Sequence, residues 1–285
     1  MVTTDVSTCT AGDLDDVANS RTTLDTMQRS PQQAARSHDY LRHLAHSGVG
    51  RGYKSTATSQ LALERGHVVA DLGCGPGTDL TTYAAAVGPT GKVIGIDNSE
   101  DLVGRARSGT AHLSNVVIEM ADVHELPLES GSLDRVHIDR VLQHVTSPAT
   151  VIGEAARTLR SGGRMVCVEP DWATVVIDHP DIATGTAYTR FLVEHTVPHA
   201  TVGRALPRLL CEAGLTLDTI TPATAVFTDA TEADQILTIR SVTERAVAAG
   251  YLTSEQGRSW LDHLEVEPFF AAISLFIVTG HRAPQ

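Results

Sequence analysis

The stretch Val68-Val-Ala-Asp-Leu-Gly-Cys-Gly-Pro-Gly-Thr-Asp79 decides the fold, because an apolar run ends in three glycines placed at every second position. Such a pattern is a strand feeding a tight turn. Gly73, Gly75 and Gly77 reach backbone angles that a Cβ forbids, and they let the main chain approach a ligand lying across it. Thr78-Asp-Leu-Thr-Thr-Tyr-Ala-Ala-Ala-Val87 continues as a helix, whose unpaired N-terminal amides face whatever the glycines admit. The spacing is G-x-G-x-G and not G-x-G-x-x-G, which argues against a dinucleotide fingerprint. No phosphate-binding lysine follows, which argues against a P-loop. Taken alone, the glycines fit a cofactor site and a merely tight turn equally well.

Working outward, a second short strand, Val93-Ile-Gly-Ile-Asp97, ends in an acid about twenty residues past the glycines, where a nucleotide-binding α/β unit places the carboxylate that meets ribose hydroxyls. A third, Val116-Val-Ile-Glu-Met-Ala121, runs into Asp122-Val123. A helix from Ser99 to Ala111 joins the two, and strands alternating with helices mean right-handed crossovers and a parallel sheet covered on both faces. Ligands of such sheets lie beyond the carboxyl ends of the strands, where the glycines, Asp97 and Asp122 all fall.

These strand ends resemble the class I S-adenosylmethionine-dependent methyltransferases, with Asp-Leu-Gly-Cys-Gly-Pro-Gly as first motif and Gly-Ile-Asp as second. The resemblance implies a Rossmann-like, seven-stranded, mostly parallel sheet with helices on both faces and an antiparallel last strand. It also implies S-adenosyl-L-methionine as cofactor and S-adenosyl-L-homocysteine as product. On that basis Asp71 and the Gly73, Gly75 and Gly77 backbone would hold the methionine end, Asp97 the ribose, and Asp122 with Val123 the adenine, with Thr78 and Asn98 also among the cofactor contacts. Arg140 would belong to the loop that closes over the nucleoside.

Later segments extend the pattern. Leu133 to Ile138 reads as a fourth strand, and Asp139-Arg140-Val-Leu-Gln-His144 opens the next loop and helix. Arg160-Ser-Gly-Gly-Arg164 turns the helix from Pro148 to Leu159 into a fifth strand, Met165-Val-Cys-Val-Glu169, followed by Pro170-Asp171-Trp172. Arg-Val-Leu-Gln-His and Glu-Pro-Asp-Trp are most similar to the quinone-methyltransferase-like branch, which methylates small molecules at carbon, nitrogen or oxygen. A helix from Gly203 to Ala213, a strand from Leu217 to Phe227, helices over Glu232 to Ala248 and Ser254 to Leu264, and a last strand from Phe269 to Gly280 complete the chain.

A mobile start is expected over residues 1–16, a helical cap over 17–65 and the catalytic domain over 66–285, with helical insertions near 172–200 and 230–268 forming a lid. His144 is the candidate base or orienting group, since imidazole titrates near neutrality; a purely local hydrogen bond is the competing reading. Tyr40, Tyr53, Trp172 and His195 are candidate acceptor contacts, set against a plain packing or surface role.

Composition narrows the partners. The 285 residues carry 22 basic and 34 acidic side chains, a net charge of −12 that repels phosphate backbones and disfavours nucleic acid. Hydrophobic residues make up 42%, enough for a buried core. The four cysteines form no C-x-x-C pair, and the acids and histidines form no compact ligand pattern, so a reducing, cytoplasmic setting without a bound metal is expected. No basic-then-apolar leader and no apolar run of membrane length is seen. The expected partner is a small, partly apolar acceptor, plausibly a specialised metabolite, with homo-oligomerisation left open. A cofactor-binding module and a non-methylating enzyme such as a cyclase on the same fold are the alternatives.

Overall fold

The computed structural model describes residues 48–284. The expectations for residues 1–16, for the first part of the 17–65 cap and for Tyr40 lie outside the described residues. In order, the elements are α1 (Gly48–Leu61), β1 (Val68–Leu72), α2 (Leu80–Val87), β2 (Lys92–Asp97), α3 (Glu100–Thr110), β3 (Val116–Met120), β4 (Leu133–Asp139), α4 (Pro148–Thr158), β5 (Leu159–Ile177), α5 (Ile182–His195), α6 (Val202–Glu212), β6 (Thr216–Phe227), α7 (Ala230–Leu237), α8 (Ile239–Ala248), α9 (Ser254–His263) and β7 (Ala271–His281).

Seven strands form one sheet in the order β3-β2-β1-β4-β5-β7-β6. β1 to β5 pair in parallel, and β7 runs antiparallel to both β5 and β6. The Rossmann-like architecture expected from the sequence is therefore present. β1 and β2 are apolar without alternation because helices cover both faces of a parallel sheet. Successive residues feed opposite cores. Val69, Val93 and Val166 join one cluster with Tyr53, Leu61, Leu80 and Tyr83. Ala70, Ile94 and Cys167 join the other with Val151, Ile152, Leu206 and Leu210.

Several local boundaries differ from the sequence reading. β5 runs far past Glu169, to Ile177, and the Arg160–Arg164 segment is a bulge within it, shown by a register that jumps from Leu133↔Leu159 to Arg135↔Arg164. The single helix read over Glu232 to Ala248 is two, broken at Thr238, whose left-handed φ of 52° ends one helix and starts the next. α2 begins at Leu80, two residues after Thr78, with Asp79 as its N-cap. Pro222 sits in β6, the free edge of the sheet, where a missing amide does least harm. Among the described residues no helix is long and apolar enough to cross a membrane.

Candidate active site

The site is built where β1 to β5 end. Strand β1 stops at Leu72 and the chain turns through Gly73, Gly75 and Gly77, at φ values of 71°, 56° and 81°. Those angles are the reason glycine stands there. The turn is anchored to its neighbour: the amides of Gly73 and Cys74 donate to the Ile96 carbonyl, at 2.7 and 2.9 Å. Gly75 N donates to Asp97 Oδ2 at 2.9 Å, while Asp97 Oδ1 accepts from Ser99 N at 2.9 Å. A carboxylate offers about four acceptor positions, so Asp97 keeps roughly one free on each oxygen, a pattern that suits a vicinal diol.

Asp71, two residues before Gly73, is buried beside its register partner His137 on β4. His137 Nδ1 lies 2.9 Å from Asp71 Oδ1 and 3.1 Å from the Tyr83 hydroxyl. Burial raises the Asp71 pKa; burial also pulls His137 down, but the hydrogen bond and charge of Asp71 win and raise it. At the end of β3, Asp122 is open to solvent, with 63% of its side chain exposed. His124 donates to it from its amide at 2.9 Å and from Nδ1 at 2.6 Å, which holds its carboxyl below the usual range. His124 Nε2 in turn accepts from Ser147 N at 3.3 Å, tying the β3 exit to the start of α4. Val123 is buried, whereas Thr78 and Asn98 are exposed at the same edge.

β4 ends in a charged knot that the sequence did not disclose. Lys54, from α1, pairs with Asp79 and, at 3.1 Å, with Asp139. Tyr53 donates to Asp139 Oδ2 at 3.2 Å, and Arg140 Nε meets Asp139 Oδ1 at 3.1 Å. Burial would raise Asp139, but Arg140 and Lys54 reverse this and hold it well below the usual carboxylate range. Burial likewise works against the Lys54 ammonium, and Asp139 and Asp79 overcome it. Three carboxylates at neighbouring strand exits were legible as a series, and extending that series to β4 would have found Asp139.

The loop after Arg140 collects further groups. Trp172 is half-buried, and its Nε1 donates to Gln143 Oε1 at 2.8 Å, beside the exposed His144. Tyr53 and Trp172 therefore both reach the β4 exit. His195 does not belong with them: its ring stacks 5.0 Å from Phe191, and its Nε2 lies 2.9 Å from the Tyr251 hydroxyl, in the packing of α5. Among the described residues no group of three or more metal-ligating side chains occurs.

A family model described as a methyltransferase domain matches residues 63–214, the span from the approach to β1 to the end of α6. The chain belongs to this methyltransferase family. It is a class I S-adenosylmethionine-dependent methyltransferase, with S-adenosyl-L-methionine as donor. An uncharacterized 37.1 kDa protein in transposon TN4556 of Streptomyces fradiae is 49% identical over 245 residues, 86% of this chain and 71% of that one. A demethylmenaquinone methyltransferase of Staphylococcus aureus is 29% identical over 161 residues, 56% of this chain and 67% of that one. Among solved structures, a methyltransferase of Bacillus halodurans superposes with a TM-score of 0.58 at 18% identity, over 80% of this chain and 98% of that chain. The [4+2]-cyclase SpnF gives 0.54 at 16%, over 89% and 97%. At these identities the two superpositions establish the shared fold.

Proposed function

We propose that this methyltransferase transfers the methyl group of S-adenosylmethionine to a small, partly apolar acceptor at carbon, nitrogen or oxygen. The observation that carries the reading is the strand-end series: a turn of three left-handed glycines, an Asp97 carboxylate with spare acceptor positions, and an exposed Asp122 one strand further on. This donor set suits the group. Asp71 and the Gly73, Gly75, Gly77 and Thr78 backbone take the methionine end, Asp97 and Asn98 the ribose, Asp122 and Val123 the adenine, and Arg140 the closing loop. When bound, the cofactor supplies a sulfonium-activated methyl, so the protein's task is chiefly alignment and exclusion of water. His144, exposed next to Gln143, which accepts from Trp172, takes the part of base for a hydroxyl or amine nucleophile or of orienting group in this reading.

Three observations support a small acceptor: the charge of −12, the relative named as a demethylmenaquinone methyltransferase, and the helical additions after β5 and β6. Specialised metabolism in the cytoplasm fits the same features. The test incubates the full chain with methyl-labelled S-adenosylmethionine and small-molecule, protein and RNA fractions. Label in the small-molecule fraction is expected. Label confined to macromolecules would reverse the acceptor assignment, and tight cofactor binding without turnover on any fraction would point to a binding module or cyclase.

A further inference from the structure

We propose that Glu169 is a positioning residue of the donor site, its buried carboxyl fixing the backbone after β4 so that Val141 seals against the Gly73 turn. This rests on the donor-site reading above. Glu169 is 0% exposed and lies where β5 reaches the carboxyl edge of the sheet. Its Oε1 accepts from two consecutive amides, Val141 N at 2.7 Å and Leu142 N at 2.5 Å. Those amides follow Arg140, whose φ of 58° swings the chain out of β4. Without this acceptor both would be left to find another partner.

The consequence reaches the glycines directly. The side chain of Val141 occupies the space that a Cβ on Gly73 would take, so the loop is the roof and the turn the floor of one gap-free contact. On its other side Glu169 is held by close packing: a Cβ on Gly203 of α6 would lie 2.8 Å from the carbonyl oxygens of Glu169 and Pro170. The main chain that carries Glu169 is thus fixed against α6, and the loop is held to its carboxyl.

Burial decides which form of the acid does this. Glu169 Oε2 is buried and has no hydrogen-bond partner among the described residues. Burial pushes the group up to about 8, Asp139 adds to the rise, and the two amides and Arg140 oppose it. Cys167, two residues earlier, is pushed up by the same burial and by Glu169. At neutral pH the proton sits on Glu169, whose carbonyl-like Oε1 serves both amides. Glutamine reproduces that arrangement, with an amide oxygen and an uncharged donor. Ionisation would place a charge in the core near Asp139, a cost that the two amide hydrogen bonds offset only in part, and the loop would give way.

The experiment measures S-adenosylhomocysteine affinity by calorimetry between pH 6 and 9.5 for the wild type, Glu169→Gln and Glu169→Ala, with thermal unfolding followed in parallel. The wild type should bind evenly up to about pH 8 and then weaken. Glu169→Gln should match it at pH 7 within about twofold and lack the alkaline weakening, while Glu169→Ala should bind about tenfold more weakly throughout. Unfolding supplies an independent reading. The free carboxyl ionises near ~4.3 and the folded one at about 8, so wild-type stability should fall as pH rises through that window and level off above it. Glu169→Gln should remove this fall. An alkaline weakening unchanged in Glu169→Gln, or wild-type affinity in Glu169→Ala, overturns the proposal; should the alanine variant not fold, the glutamine profile decides. A wild type that binds no S-adenosylhomocysteine at any pH would instead overturn the donor-site reading.

Discussion

Glu169 Oε2 apart, the donor edge pairs its buried carboxylates with specific donors, whereas the packing of α5, α8 and α9 leaves buried polar atoms unpaired. At the donor edge, Asp71, Asp97 and Asp139 are each met by a specific donor from another element: His137, Gly75 N and Lys54 respectively. In the helical region after β5, α5, α8 and α9 meet around Tyr188, Phe191 and Trp260, and the Tyr188 hydroxyl and Trp260 Nε1 are buried without a hydrogen-bond partner among the described residues. Their rings lie 4.9 Å apart. The first region gains its geometry from directional contacts, which fix atoms to a fraction of an ångström. The second gains its stability from apolar area, which tolerates small shifts. An edge that must align a cofactor needs the first kind.

The sharpest way to break the donor edge is Gly73→Ala. The new Cβ would collide with Val141 at a φ of 71° that alanine rarely adopts, so strain and overpacking act together. The expected loss of S-adenosylhomocysteine affinity is about 100-fold by calorimetry, with circular dichroism showing a folded chain. Comparable affinity would mean that the roof and floor do not need to meet.

Next in size is Lys54→Met, which leaves Asp79 and Asp139 facing each other without the shared ammonium. Lys54 is only 14% exposed at its side chain, so the loss is that of a largely buried pair, about 3 kcal/mol by denaturant unfolding. Adding Asp139→Asn should recover part of it. The pH dependence follows from Asp139, whose folded value is depressed. Its contribution is complete above the unfolded value near ~3.9 and is lost as pH falls from there toward the lower folded value. Lys54→Met should flatten that acid limb.

How much of this was legible in the sequence follows the same division. Gly73 to Gly77, Asp97 and Asp122 could be read because each sits at the end of a short apolar run, a local signal. Lys54 and Asp139 meet across 85 positions and Glu169 reaches Val141 across 28, so no window of sequence joins them. The extension of β5 to Ile177 was hidden for a related reason. It pairs with Ala271 and Ala272 of β7, and that tertiary partner outweighs the turn signal of Pro170 and Asp171. His195 was named for its chemistry, and its ring contacts with Phe191 and Tyr251, from α5 and beyond α8, had no local signal.

The finest test applies one chemical change to both regions. Tyr53→Phe removes the hydroxyl that donates to Asp139, a hydrogen bond to a charged group, and should lower stability by about 1.5 kcal/mol. Tyr188→Phe removes a hydroxyl whose desolvation no partner offsets, while the ring keeps its place against Trp260. It should leave S-adenosylhomocysteine affinity unchanged and raise stability by up to about 1 kcal/mol, read as a higher unfolding midpoint at constant slope. Opposite signs from the same oxygen atom would confirm that directional contacts hold one region and apolar burial the other. Equal losses would instead mean that the Tyr188 hydroxyl has a partner in solution, and the packing of α5, α8 and α9 would then be as polar in design as the donor edge.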